Sequence, residues 1–225
     1  MNKILFTHIP KTAGTSFRHI LDFNYNKDEI LRCRGRKAFI LARNKKVFMG
    51  HLPYGIHKYR PFEKFDYITF FRNPIDRTIS HYYFVLQGVD HANHQFHQNH
   101  SIEEILNYNQ KISNFGSLRD NLQTRFLYGV DALSYKNISD LKLLNKAKEH
   151  LGNKYKTFGI QEKFEESVVR MCEELNLNYN QELIEARNKV TKTKEELPQS
   201  TIDLITEKNK LDIELYEFAI KLKYS

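Results

Sequence analysis

A chain that joins a short apolar run to a helix through a lysine-bearing loop has few folds open to it, and this one does so within its first two dozen residues. Ile4-Leu5-Phe6 reads as a buried strand, a helix begins near Thr15, and His8-Ile9-Pro10-Lys11-Thr12-Ala13-Gly14-Thr15-Ser16 spans the junction. The first amides of a helix lack intrahelical partners, and the aligned peptide dipoles place about half a positive charge at that end. Gly14 lets backbone approach closely. Thr12, Thr15 and Ser16 add hydroxyl donors and Lys11 adds a mobile charge, so the loop suits phosphate or another tetrahedral oxyanion. The competing reading is an ordinary strand-turn-helix junction with Thr15 or Ser16 as N-cap.

Residue order separates this loop from the common nucleotide triphosphate loop, where lysine follows the last glycine and a neighbouring hydroxyl holds magnesium. Here Lys11 precedes Gly14 and no earlier glycine exists. That order argues against an ordinary ATP or GTP hydrolase.

The first third of the chain alternates apolar runs with helical patterns, the signature of parallel β-α-β units. Strands are expected at Lys3 to His8, Lys46 to Met49 and Tyr67 to Phe71, with helices from Thr15 to Phe23 and from Ile75 to Leu86. Residues 31–42 suit either strand or helix. Beyond His91 the pattern turns helical. Ser101 to Glu104 forms a capping box opening a helix to Tyr108, and further helices are expected at 118–127, 138–151, 163–175, 200–208 and 211–222, with Ser200 as an N-cap. One late strand is expected at Thr157 to Ile160. The expected fold is therefore α/β: one domain over residues 1–225, a central parallel sheet flanked by helices, and a helical C-terminal half.

The 225 residues are 40% hydrophobic, which excludes disorder, and no apolar stretch approaches the length of a membrane span or a signal peptide. With only Cys33 and Cys172 and no zinc spacing, reduced structural thiols and a cytoplasmic location are expected. A net charge of +8 points to an anionic ligand or partner. No nucleic-acid motif accompanies it, so nucleic acid is not the expected partner.

Two more constellations lie at strand ends. In Phe70-Phe71-Arg72-Asn73-Pro74-Ile75-Asp76-Arg77-Thr78-Ile79-Ser80, Arg72 follows a strand at the edge where ligands bind in open α/β sheets. Its guanidinium suits forked bonding of a phosphate, and Ser80 falls in the first or second turn of the following helix, within reach of the same group. Arg77 is expected elsewhere on that helix, as a surface charge. In Met49-Gly50-His51-Leu52-Pro53-Tyr54, His51 is expected on the same rim as Lys11 and Arg72. Imidazole titrates near neutrality, which suits proton removal from a hydroxyl, and Gly50 would leave room for a substrate. The expected strand ends carry no acid for magnesium, as a phosphoryl-transfer enzyme of the nucleotide-loop type requires.

The two motifs P-K-T-A-G-T-S and F-R-N-P-x-D-R-x-x-S-x-Y, in that order, resemble the sulfotransferase superfamily, and within it the branch of carbohydrate 2-O-sulfotransferases and their bacterial relatives. Gly50-His51, Asp120-Asn121-Leu122-Gln123-Thr124-Arg125, Phe158-Gly159-Ile160-Gln161-Glu162 and Leu211-Asp212-Ile213-Glu214-Leu215-Tyr216-Glu217-Phe218 extend the resemblance over almost the whole chain. It implies sulfuryl transfer from 3′-phosphoadenosine 5′-phosphosulfate (PAPS) to an acceptor hydroxyl, with no metal required. It also implies that Lys11, Thr12, Ala13, Gly14, Thr15 and Ser16 cradle the 5′-phosphosulfate and that Arg72 and Ser80 hold the 3′-phosphate. His51 matches the catalytic base, with Lys11 beside the bridging oxygen. Asn188 and Lys189 fall where relatives lay a further loop over the cofactor. The acceptor implied is a hydroxyl-bearing molecule, a saccharide by the resemblance. Met49 stands where these relatives place a second histidine.

Two other classes fit parts of the pattern: a small-molecule kinase using the loop for ATP, and a non-catalytic polyanion-binding protein. The tract His91 to His100 carries four histidines at every third position, yet no carboxylate or thiol follows Asp90 within it. A mobile lid or acceptor loop is expected there rather than a metal site.

Overall fold

The computed structural model describes residues 2–33, 35–108, 120–132, 138–182 and 197–224. Five parallel strands form its sheet: β1 Lys3–Thr7, β2 Ile30–Cys33, β3 Val47–Gly50, β4 Phe65–Phe71 and β5 Tyr155–Ile160, in the order β2-β3-β1-β4-β5. The helices are α1 Gly14–Asn24, α2 Arg36–Leu41, α3 Pro74–Gln87, α4 His94–Asn99, α5 Ile102–Asn107, α6 Leu122–Tyr128, α7 Asp140–Asn153, α8 Phe164–Leu175, α9 Gln199–Lys208 and α10 Lys210–Tyr224. The segment that fitted either strand or helix is both: β2 ends at Cys33 and α2 begins at Arg36.

A strand covered on both faces must be apolar at consecutive positions, and β1 is. Ile4 and Phe6 pack with Ile68, Phe70, Val47 and Met49 beneath α1 and α8. Leu5 packs with Phe48, Tyr67 and Phe71 on the opposite face, under residues of α2, α6, α7 and α10. Cys33 and Cys172 lie in these two separate clusters, both buried and unbridged.

β1 has β3 on one side and β4 on the other, so the strand order reverses beside it. Such a switch opens a crevice at the carboxyl ends of the strands. The loops leaving β1 and β4 are the two that carry the sequence motifs at residues 10–16 and 71–82.

Three local expectations are corrected. Ser200 is the second residue of α9, and Pro198 holds the N-cap position because its carbonyl accepts the first helical bonds from Thr201 and Ile202. Arg77 is fully buried rather than a surface charge, because α3 is covered: Arg77, Thr78, Ser80, His81 and Val85 all lie inside. The histidine tract is not simply a loop but contains α4, packed on α3. His97 and His100 bond to carbonyls one turn back within that segment, and His94 bonds to the Val85 carbonyl. Among the described residues, no helix is long and apolar enough to cross a membrane.

Candidate active site

The loop after β1 is shaped by its backbone. Lys11 and Ala13 both hold left-handed conformations, with φ of 68° and 65°, flanking Thr12. Non-glycine residues rarely adopt such angles, each costing roughly 1–3 kcal/mol, and they cluster where function over-determines the chain. Alternating handedness turns successive amides toward one point, a concavity suited to an anion. Thr12 is buried and its hydroxyl donates to the Ile9 carbonyl at 2.9 Å, so that O–H shapes the loop rather than reaching outward. Ala13 occupies the N-cap of α1 and no side chain caps the helix, so neither Thr15 nor Ser16 plays that part. The first turn of α1 carries no acid either. Gly14 is required by close packing: a Cβ there would stand 2.1 Å from Cδ2 of His8.

Lys11 and Arg72 meet at the switch. Arg72 donates from Nη1 to the Lys11 carbonyl at 3.3 Å. Burial lowers the Lys11 pKa, and the Arg72 charge lowers it further. Burial also lowers that of Arg72, opposed by Asp76 and Glu162. Both cations are therefore poorly solvated, a condition that an incoming anion relieves. The Lys11 ammonium rests over the Phe84 ring of α3, 4.2 Å from its centroid.

The arm after β4 is fixed from a distance. Arg72 donates its backbone N–H to Gln123 Oε1 at 3.1 Å, and Gln123 Nε2 donates to the Arg72 carbonyl at 2.9 Å. The Asn73 N–H donates to Glu162 Oε1 at 2.8 Å, and the Asn73 side chain caps α3. Tyr216 donates to the other Glu162 oxygen at 2.8 Å. Ser80 lies in the second turn of α3, and its buried hydroxyl has no hydrogen-bond partner among the described residues. Buried polar groups are nearly always satisfied, so Ser80 is a candidate contact for a bound group.

Behind this arm two helix starts cap each other. Asp212, at the start of α10 and fully buried, accepts from the N–H groups of Gln123 at 3.0 Å and Thr124 at 2.7 Å, and from the Thr124 hydroxyl at 2.6 Å. Asn121, at the N-cap of α6, accepts in return from the N–H groups of Leu211 and Asp212. Burial raises the Asp212 pKa, while the charge of Arg77 and these hydrogen bonds favour its ionised form. In the sequence the two segments stand about 90 residues apart, and nothing local in either pairs it with the other. The one signal available was a carboxylate inside the apolar pattern Leu211-Asp212-Ile213.

His51 follows β3 and is exposed on the same rim. Its Nδ1 lies 2.7 Å from the His8 carbonyl oxygen. A carbonyl can only accept, so Nδ1 carries the proton and Nε2 holds the lone pair in the neutral ring. The His8 and His51 rings stand 5.1 Å apart. Burial above all, then the charges of His51, Arg18 and Lys11, drop the His8 pKa to about 3, which keeps His8 neutral. Packing requires glycine at position 50: a Cβ there would lie 2.5 Å from the Cys33 carbonyl oxygen.

Among the described residues no group of three or more His, Cys, Asp or Glu side chains is placed to hold a metal ion. Asn188 and Lys189 lie outside the described residues.

The sequence profile of the sulfotransferase family matches residues 1–219. The chain belongs to the sulfotransferase family. Among solved structures, that of a mouse sulfotransferase in complex with PAP aligns with this chain at a TM-score of 0.45 and 14% identity. The alignment covers 82% of this chain and 60% of the mouse chain. Among curated proteins, none matches the sequence. Within this family member, the two anion motifs and His51 share the carboxyl rim of one sheet, flanking its switch point.

Proposed function

We propose that this sulfotransferase-family chain is an enzyme that transfers a sulfuryl group from PAPS to a hydroxyl of a carbohydrate acceptor, with His51 as general base. The observation that carries the reading is the direct contact of the Lys11 loop with Arg72 at the switch point, on the rim that also bears His51. The residues suit a nucleotide with two anionic ends. The left-handed turns and uncapped amides at Gly14, Thr15 and Ser16 face one tetrahedral group, and Arg72 with the unpartnered Ser80 hydroxyl would hold another.

When bound, PAPS supplies an activated sulfuryl group on its 5′-phosphate. His51 Nε2 takes the proton of the acceptor hydroxyl as that oxygen bonds to sulfur, and Nδ1 remains bonded to the His8 carbonyl. Lys11 would supply positive charge toward the oxygen that leaves sulfur, and the first amides of α1 would stabilise the negative charge left on phosphate. A sulfuryl group carries less charge than a phosphoryl group, so these fixed cations and amides suffice without a divalent metal in this reading. Asn188 and Lys189 complete the proposed cofactor set. A cytoplasmic location, as expected for a chain with two unbridged thiols, Cys33 and Cys172, is part of this reading.

The test is transfer of labelled sulfuryl from PAPS to a panel of saccharides and simple alcohols, with wild type and His51→Ala. Transfer to a saccharide that falls about 10²–10⁴-fold in the variant, with PAP affinity kept, supports both assignments. Undiminished transfer removes His51 from the mechanism, and acceptance of alcohols alone removes the carbohydrate.

A further inference from the structure

The +8 net charge of this chain is concentrated in one segment. Residues 36–64 hold eight cations, Arg36, Lys37, Arg43, Lys45, Lys46, Lys58, Arg60 and Lys64, against one acid, Glu63. The remainder of the chain is close to neutral.

The fold gathers this segment on one face. Arg60 donates from Nη1 to the carbonyls of Phe39, Ile40 and Ala42 at 2.9, 3.0 and 2.7 Å, closing the end of α2 and drawing residues 60–63 against it. Phe39 is buried against Phe48 and Phe65, which turns its neighbours outward. Ile40 is 39% exposed, Leu41 63% and Phe62 99%. The chain runs from Leu41 into the start of β3 and from Phe62 into the start of β4. The apolar side chains, Arg43 and Lys64 therefore lie at the amino ends of the strands, away from Lys11, His51 and Arg72, among the acids Asp28, Glu29 and Asp66, while Lys37 sits at the start of α2, which follows the carboxyl end of β2.

Some of its cations are engaged: Arg60 with Glu63, Lys46 with Glu29, Lys45 with the Asp28 carbonyl, and Arg36 against Tyr59. Lys37, Arg43, Lys58 and Lys64 are exposed and form no ion pair among the described residues, although Lys58 lies over the Tyr59 ring, 5.4 Å from its centroid.

We propose that this face docks peripherally on an anionic lipid bilayer. Phe62, Leu41 and Ile40 enter the boundary between headgroups and acyl chains, while Arg43, Lys58 and Lys64 meet lipid phosphates. A soluble acidic polymer would use the charge and leave three apolar side chains in water. An anionic bilayer uses both. Docked this way, the carboxyl rim of the sheet faces the aqueous phase and stays open to an acceptor. The proposal is independent of the transfer chemistry.

The test is co-sedimentation of the full chain with phosphatidylcholine vesicles, with and without phosphatidylglycerol. Binding is expected only with phosphatidylglycerol, weakening as salt rises. Phe62→Ser with Leu41→Ser should weaken it by about tenfold or more, as should Lys58→Glu with Lys64→Glu, while Val89→Ser, exposed elsewhere, should not. All changed positions are exposed, and an unaltered denaturation midpoint checks the fold. No binding to the anionic vesicles overturns the proposal. So does full vesicle binding by the Phe62→Ser, Leu41→Ser variant, because the apolar side chains would then play no part in docking.

Discussion

The two arms that meet beside β1 are built in different ways. The loop between β1 and α1 is self-contained: its shape comes from two left-handed residues, an internal bond from Thr12 to Ile9, and Gly14 fitted against His8, all within a few residues of one another. The arm between β4 and α3 borrows its shape. Arg72 is clamped by Gln123, 51 residues on, and Gln123 is held by Asp212, 89 residues beyond that. One arm is thus specified locally, and the other exists only once the C-terminal helices have packed. They should therefore fail differently: damage to the first removes ligand binding from an otherwise folded chain, and damage to the second removes stability along with it.

The largest effect should come from Asp212→Ala, which uncaps α6 and leaves the buried Arg77 without its nearby carboxylate. A loss of about 3–5 kcal/mol is expected in urea denaturation. Asp212→Asn should recover part of it by keeping hydrogen-bond acceptance. An undestabilised Asp212→Ala protein would break the contrast between the arms. Gly14→Ala comes next. Its Cβ collides with the His8 ring, costing about 1–3 kcal/mol, yet PAP affinity measured by calorimetry should fall by more than that stability loss suggests, roughly tenfold or beyond. Gln123→Ala is gentler. Two hydrogen bonds to Arg72 are lost, roughly 1–3 kcal/mol together, with PAP affinity weakened several-fold, and Gln123→Asn should not restore either because it is one methylene short.

A pH dependence belongs to the local arm. His8 titrates at about 3 in the folded protein against 6.5 in the unfolded chain. Between those values the unfolded chain binds the extra proton, so stability present above about pH 6.5 declines as the pH falls toward 3. The buried His81 is lowered in the same direction, mainly by burial and then by Arg77. Denaturation midpoints taken from pH 7.5 down to 4.5 should drop, and His8→Gln should flatten that slope.

How much was legible in the sequence follows the same division. The strands and the junctions at Lys11 to Ser16 and at Arg72 were readable because apolar period, glycine placement and a strand-end cation are local signals. The cross-capping of Asn121 and Asp212 was not, since each looks ordinary until the other arrives from far along the chain. Arg77 was misread for that reason: an arginine on an amphipathic helix is usually a solvated charge, and its carboxylate neighbour belongs to the last helix. The histidine tract looked like a loop because its apolar period is weak, whereas α4 gains its order by packing on α3. The crowding of Gly50 by Cys33, in the neighbouring strand, is something no local pattern reveals.

The most direct measurement of the central claim is calorimetric titration with PAP, and separately with ATP plus magnesium, of wild type, Lys11→Ala and Arg72→Ala. Tight PAP binding that each substitution weakens by tenfold or more, with weak binding of magnesium ATP, is the expected result. PAP that fails to bind while magnesium ATP binds, or PAP affinity indifferent to both substitutions, would contradict the assignment of this switch point as the sulfuryl-donor site.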